Sequence, residues 1–370
     1  MLIEELDTRS FEDFADHEKV VRCEDKQSGL RAIIAIHNGN LGPALGGCRM
    51  RAYDNEQTAI TDALRLSKGM TYKSALASLP LGGGKSVIMA NPKDTKTEAL
   101  MRSMGKFIDT LNGAYIGAED SGTSVEDLRI MHQETEFVAG IHERQLTDGT
   151  IANGDPSPST AYGVFTGIKA SLQHRFNSDS VDGVKIAVKG VGNVGRNLVN
   201  LLVQDGAEVL ISDAYEPAIE QVLKHISEHV SGHQQVHVIN NDDIHKQKVE
   251  VYAPCALGGG LNTATLVELQ APIVAGAANN QLANDDAGQY LFHKGTLYAP
   301  DFVINAGGII DIYYERHGYD HNIVMRHIDK IRDTLYEIFS YSEANQIPTH
   351  VTAERLGESR FLGIDISDVA

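Results

Sequence analysis

Lys185-Ile-Ala-Val-Lys189-Gly190-Val-Gly192-Asn193-Val194-Gly195, with the apolar run that follows it to Val203, is the stretch that decides the fold. Its first five residues read as a short buried strand, the glycines as a tight turn, and the spacing beyond them as a helix. A second strand, Glu208-Val-Leu-Ile-Ser212, ends at Asp213. Together these pieces make the βαβ fingerprint of a dinucleotide site. Gly190 provides the turn, Gly192 lets a pyrophosphate approach the backbone, and Gly195 lets the helix pack on the strand. Asn193 and Val194 complete the cofactor-binding candidates of that loop. Asp213, 23 residues beyond Gly190, stands where an acid accepts the ribose 2′-OH. A 2′-phosphate there would face a carboxylate, so NAD is expected over NADP. The plainer alternative is a glycine-rich turn that binds nothing.

Further strands are expected in Val249–Gly260, Pro272–Asn280 and Leu297–Gly308, each ending in small or polar residues. Ligands of an open parallel sheet bind at the carboxyl ends of its strands. That places Cys255, Ala256, Ala277, Asn279, Asn280 and Asn305 on the cofactor side, although asparagines in turns also cap the local backbone. Cys255 has no nearby histidine to activate it and reads as a small buried residue. His225 and His229 share a helix face, but no glutamate follows His225 as a zinc-protease motif requires, and no metal is expected. From about His321 the spacing of Val324, Ile328, Ile331, Leu335 and Ile338 predicts one long helix crossing between domains.

In the first half the eye falls on Lys73 and Lys85, the second directly after Gly82-Gly83-Gly84. The triplet reads as a tight turn that admits a ligand. It is not a nucleotide-binding P-loop, because Leu79 stands where that motif needs glycine. Burial would detune a lysine here into a base that works near neutrality; a solvated lysine on a turn is the alternative. Residues 31–36 predict a strand, and Leu41–Cys48 a loop containing Gly46 and Gly47. A helix from Glu56 to about Met70 would deliver Lys73 just past its end. Leu100, Met104, Phe107, Ile108 and Leu111 mark a second helix, terminated by Gly113. The strand Ala114–Ala118 runs into Glu119-Asp120, where an acid serves either a site or a helix cap. Turn residues and two prolines make 141–160 a hinge and a domain boundary. Beyond it, Ala161, Phe165, Ile168 and Leu172 share one helix face.

A chain of 370 residues exceeds one ordinary core, so two domains are expected: 1–152, completed by C-terminal helices over about 335–370, and 153–334. The fold class is α/β, with a Rossmann-type domain and an α/β substrate domain. A net charge of −18 argues against nucleic acid, whose phosphates need a basic face. No apolar run approaches the ~18 residues of a membrane span, and the acidic N-terminus is unlike a signal peptide. Three dispersed cysteines form no disulfide framework, which fits a cytoplasmic protein.

With these pieces in place, the chain resembles the glutamate/leucine/phenylalanine/valine dehydrogenase superfamily, most closely its leucine branch. The matching stretches include Leu41–Gly47, Lys68–Lys73, Leu81–Lys85, Ala118–Asp120, Asp155–Pro158, Ala253–Gly258, Gly276–Gln281 and Val303–Gly308, in the family's order. The resemblance implies reversible, NAD-dependent oxidative deamination of an L-amino acid to a 2-oxo acid and ammonia. It implies a homo-octamer, and a dry cleft formed as two domains close about the hinge. It assigns Lys73, with the Gly46–Gly47 backbone, to the substrate carboxylate, Lys85 as general acid/base, and Asp120 as its partner. Asn279, Asn280 and Asn305 would border the nicotinamide and the substrate. The side-chain pocket would be lined by Leu45, Ala118, Ala139, Ile309 and Ile312, with no lysine there to hold a γ-carboxylate. Ala139, Asp155 and the segment Ile312–His317 depart from the leucine pattern. Branched aliphatic substrates are expected, with aromatic ones the alternative and a non-catalytic NAD or amino-acid sensor a remote one.

Overall fold

A computed structural model describes residues 1–145, 151–152, 154–229 and 235–369. The part of the expected hinge at 146–150 and 153 lies outside the described residues, as does the side chain of His229. The chain divides into two compact units. Unit 1 is Met1–Asp155 with Ile312–His321 and Gly357–Ala370, and unit 2 is Pro156–Asp311 with Asn322–Leu356.

Unit 1 contains β1 (Leu2–Glu5), β2 (Lys19–Asp25), β3 (Leu30–Asn38), β4 (Ala44–Arg51), α1 (Glu56–Leu76), β5 (Gly82–Met89), α2 (Glu98–Asp109), β6 (Tyr115–Glu119), α3 (Val125–His132) and the short pair β7 (Arg144–Gln145) and β8 (Ile151–Ala152). Six strands form a mixed sheet in the order β1-β2-β3-β5-β4-β6. β4 runs parallel to both β5 and β6, while β3 is antiparallel to β5. Strand alternation sends side chains to two faces. Ile33, Ala35 and Val87 pack with Ala59, Ala63 and Leu64 of α1. Ile34, Cys48, Ile88 and Tyr115 pack on the other face with Met104, Phe107 and Leu128 of α2 and α3.

Three expectations about this unit are corrected. Gly82-Gly83-Gly84 does not turn; it begins β5, inside the sheet. A Cβ at Gly83 would overlap the backbone of Thr71, so glycine there lets α1 lie directly on the strand. Gly46 and Gly47 likewise belong to β4 and not to a loop, and a Cβ at Gly46 would overlap the Gly84 carbonyl. Finally, α1 runs on to Leu76, so Lys73 sits in its last turn and not beyond its end. No proline or left-handed residue intervenes before Ser78, whose φ is +54°. Gly113, with φ +84°, turns the chain toward β6 after α2 has already ended at Asp109.

Unit 2 opens with α4 (Ser157–Phe176) and continues with β9 (Lys185–Lys189), α5 (Asn193–Gln204), β10 (Glu208–Ser212), α6 (Glu216–His229), β11 (Val236–Val238), β12 (Val251–Pro254), α7 (Thr263–Glu268), β13 (Ile273–Val274), α8 (Asp285–Lys294), β14 (Leu297–Tyr298), α9 (Asp301–Ile304), α10 (Gly307–Glu315), α11 (His321–Ile328), α12 (Ile331–Asn345) and α13 (Thr349–Leu362), of which α10 from Ile312, His321 of α11 and α13 from Gly357 group with unit 1. Its six strands are all parallel, in the order β11-β10-β9-β12-β13-β14. The order reverses between β9 and β12, the switch point at which such sheets bind ligands.

The long helix expected from His321 is two, α11 and α12. All five of its apolar markers are nonetheless buried. The expected return of residues 335–370 to the first domain is also corrected, since only Gly357–Ala370 groups with unit 1. The reason is packing on α4: Cβ atoms at Gly163 and Gly167 would meet Ile331 and Leu335 of α12 at 3.0 and 3.2 Å. Asn305 follows α9 and not a strand, because β14 ends at Tyr298.

Candidate active site

Cys48 and Met50 of β4 belong to the core beneath α2 and α3, so Leu45, Gly47 and Arg49 face the opposite way. Lys85 alternates with Ser86 and shares the face of Val87, which packs with α1. Ala118 pairs with Gly47 and lies on the same side as both. Lys85 is 5% exposed, and its Nζ donates to Oδ2 of Asp120, just past the end of β6. A Cβ on Gly47 would come within 2.7 Å of Asp120 Cβ, so glycine clears the room in which that carboxylate sits. The Asp120 backbone N–H donates to Thr123 Oγ1 at 3.1 Å, and Thr123 Oγ1 donates to Cys48 O at 2.8 Å. Of the two adjacent acids, only Asp120 meets Lys85; the neighbouring Glu119 carboxyl is raised by burial, then by Asp155 and Asp127.

Burial is the largest influence on Lys85 and lowers its pKa from 10.5 to about 7. Arg49 pushes the same way, and Lys73 adds to it. Lys73 is half-buried in the last turn of α1, close enough for its charge to act on Lys85. Beneath the Gly46–Gly47 backbone, Tyr115 Oη donates to Gly46 O at 2.7 Å.

Leu45, Ala118 and Ala139 are buried, and Ala139 N donates to Gly117 O at 2.8 Å, which sets it beside β6. Arg316 Nη1 donates to the carbonyls of Glu136 and Val138, each at 2.7 Å. Glu315 accepts from Ile141 N at 2.9 Å and from Arg144 Nη2 at 2.6 Å. Burial alone would raise the Glu315 carboxyl, but the hydrogen bonds from Arg144, Ile141 and His142 outweigh it and hold it low. Residues 136–144 are therefore clamped on both sides of Ala139. Ile312 approaches the same segment, its Cδ1 lying 3.9 Å from a Cβ built on Gly140. Ile309 is buried in unit 2.

The remaining candidates gather in unit 2. Gly190, with φ +95°, donates its N–H to Ser212 O at 2.8 Å and lies against Ala256. Gly192 caps α5 with no side-chain cap and open space where a Cβ would be, whereas a Cβ on Gly195 would overlap Gly190 O. Asn193 and Val194 supply the first backbone N–H groups of that helix. Asp213 Oδ2 accepts from Val191 N and its Oδ1 from Tyr215 N, both at 2.8 Å. Cys255 N donates to Lys189 O at 2.7 Å, and burial pushes its thiol up to about 12, so it is no nucleophile at neutral pH. Asn305 Nδ2 donates to Ala277 O at 3.0 Å and Asn279 Oδ1 at 2.7 Å. Its Oδ1 is buried without a partner among the described residues. Asn280 holds a left-handed φ of +51° beside it. An uncapped helix start, an open glycine and an orphaned amide oxygen fit a dinucleotide with a carboxamide at one end.

Sequence reading missed Arg49, Asp62, Tyr115 and the Glu315–Arg316 clamp. Arg49 carried a usable signal, since it follows Leu45 and Gly47 at strand alternation. Glu315 and Arg316 carried none, because their partners are some 170 to 180 residues away.

Residues 17–137 match the family model described as Glu/Leu/Phe/Val dehydrogenase, dimerisation domain. Residues 154–354 match that of the Glutamate/Leucine/Phenylalanine/Valine dehydrogenase. The chain is 44% identical over 349 residues to a leucine dehydrogenase of Bacillus cereus, covering 94% of this chain and 92% of the relative. It is equally similar, at 44% over 345 residues and 93% of each chain, to an L-tryptophan dehydrogenase of Nostoc punctiforme. The crystal structure of L-tryptophan dehydrogenase from Nostoc punctiforme superposes with a TM-score of 0.80 at 42% identity, covering 94% of this chain and 96% of that one. Similarity of this order along nearly the whole length, on a two-unit α/β fold with a Rossmann sheet, places the chain in the Glu/Leu/Phe/Val dehydrogenase family, as an amino-acid dehydrogenase.

Proposed function

We propose that the enzyme carries out reversible, NAD-dependent oxidative deamination of a branched-chain L-amino acid, leucine foremost with valine and isoleucine, to the 2-oxo acid and ammonia. The observation that carries this reading is the buried Lys85–Asp120 pair on one sheet face with Lys73 nearby. When bound, NAD accepts the hydride lost from the substrate Cα. Lys73 and the Gly46–Gly47 backbone hold the substrate carboxylate. Neutral Lys85 takes a proton from the water that adds to the imine carbon, and Asp120 exchanges protons with the departing amine. The base must be unprotonated, so kcat/KM for deamination is expected to fall below about pH 7 and level off above it. A pH–rate profile flat from pH 6 to 9 would count against Lys85 as the base.

Gly190, Gly192, Asn193, Val194 and Gly195 would cradle the pyrophosphate, with Cys255, Ala256, Ala277, Asn279 and Asn305 along the rest of the cofactor and Asn280 shared with substrate. Asp213 favours a free ribose over a 2′-phosphate by charge. Asp213→Ala should narrow the preference for NAD by about tenfold or more, read as the ratio of kcat/KM with NAD and NADP. Unchanged discrimination would remove the ribose contact.

Leu45, Ala118, Ala139, Ile309 and Ile312 are all apolar, which supports an aliphatic side chain over a carboxylate-bearing one. An aromatic substrate is favoured by the small Ala118 and Ala139 and by equal similarity to the tryptophan enzyme. Following NADH absorbance with a panel of L-amino acids decides between them. Failure of leucine, valine and isoleucine alongside turnover of phenylalanine or tryptophan would select the aromatic reading. We assign substrate binding and oligomerisation to the first domain and NAD binding to the second. The expected assembly is a homo-octamer, checked by light scattering. Three unpaired thiols support a cytoplasmic location, checked by fractionation.

A further inference from the structure

The Lys85–Asp120 pair has a third member on its face of the sheet. Arg49 lies two residues beyond Gly47 on β4, and its Nη1 donates to both carboxylate oxygens of Asp62, at 3.2 and 3.0 Å. Asp62 belongs to α1 and also accepts from Tyr53 Oη at 2.6 Å. The other end of the guanidinium turns the opposite way, with Nη2 3.6 Å from Asp120 Oδ1. The Arg49 and Asp120 side chains are only 22% and 16% exposed, so water screens their attraction weakly. Asp120 Oδ2 is already committed to Lys85. A brace between α1 and β4 needs only the bonds to Asp62; the second nitrogen, aimed at the acid of the reacting pair, is surplus to that task. A planar fork can address two acids at once, which an ammonium cannot.

We propose that Arg49 is a positioning residue of the active site: held by Asp62, its guanidinium orients the Asp120 carboxylate against Lys85 and supplies a fixed positive charge beside the pair. This rests on the reading of Lys85 and Asp120 as the proton-transfer pair. The charged and titratable groups acting on Lys85 are Asp120 from the end of β6, Arg49 and Cys48 from β4, and Asp62 and Lys73 from α1. β3 places only Ala35 opposite it. Arg49 and Lys73 oppose its protonation, while Asp62 and Cys48 favour it. Once a substrate carboxylate binds Lys73, that cation is offset, and Arg49 is the cation that still acts with burial to keep the lysine a free base.

The test is the pH dependence of kcat for the full-length enzyme with the L-amino acid it turns over best, for Arg49→Met, Arg49→Lys and Asp62→Asn. Arg49→Met should lower kcat by about 10²-fold through a misplaced Asp120. It should also move the ascending limb to higher pH by about one unit. Arg49→Lys should return the limb to its wild-type position but not the rate, because it restores charge without the fork. Asp62→Asn should move the limb the other way. A structural brace would lower stability or rate and leave the limb in place, and an unshifted limb in Arg49→Met overturns the proposal. Should Arg49→Met fail to fold, a wild-type rate in Arg49→Lys or an unshifted limb in Asp62→Asn overturns it equally. Lys85→Ala, run alongside, separates the two failures. Retained turnover there defeats the reading of the pair, whereas an inactive Lys85→Ala with unshifted Arg49 variants defeats only the role given to Arg49.

Discussion

Lys85→Ala is expected to lower kcat by about 10²–10⁴-fold, the usual contribution of a positioned general base, and to leave NADH binding unchanged. The cofactor candidates lie in unit 2, whereas Lys85 lies in unit 1, so a fluorescence titration with NADH should give the wild-type Kd. The fold should survive the change. A buried amine is removed, and Asp120 keeps Arg49 and the N–H of Ser121 as partners. Lys85→Arg should be as inactive as the alanine variant, because a guanidinium keeps the charge and cannot give up its proton near neutrality. That pair of variants separates a base from a mere cation. Turnover within tenfold of wild type in either one would sink the assignment.

Gly83→Ala is expected to be a strongly destabilising single-methyl change and to carry a functional signature as well. A Cβ there overlaps the Thr71 backbone N and side-chain Oγ1 and reaches Ser67 O; the N and the O are helix backbone and cannot rotate aside. Either α1 lifts from β5 or the strand sinks, at a cost of about 3 kcal/mol or more, the upper range of overpacking. The His37–Thr71 hydrogen bond of 2.8 Å would be lost with it. Thr71 lies half a turn before Lys73 on the same helix, so the amino-acid KM should rise along with the loss of stability. Gly69→Ala provides the contrast. It lies on the exposed side of α1 with nothing within 4 Å of an added Cβ, and should stabilise by up to about 1 kcal/mol. Urea midpoints and KM measurements check both, and equal midpoints for the two variants would show that α1 does not rest on Gly83.

The dinucleotide half was legible because its signal is local. A strand, three spaced glycines, a helix and an acid at the next strand's end fall within some thirty consecutive residues, so the whole pattern can be read from one short segment. Lys85 and Asp120 were legible through their glycine-rich and apolar surroundings and through the family resemblance. The geometry attached to them was not. Gly82-Gly83-Gly84 and Gly46-Gly47 look like turns in one dimension, since glycine is the usual turn residue. In the fold they are strand residues whose missing side chains admit a helix, a tyrosine ring and a neighbouring carbonyl.

The sequence by itself determined the class of fold, the order of the two units, the glycine-rich loop after β9 and the choice of proton-transfer candidates. These depend on residue type and short spacing, which a chain carries whether folded or not. Only the tertiary structure decided that Lys73 sits in the last turn of a helix, that α12 packs on α4, and that Arg49, Glu315 and Arg316 stand around the site. Those facts depend on contacts between residues far apart in the chain. Close packing across a sheet sets them, and no local pattern records it.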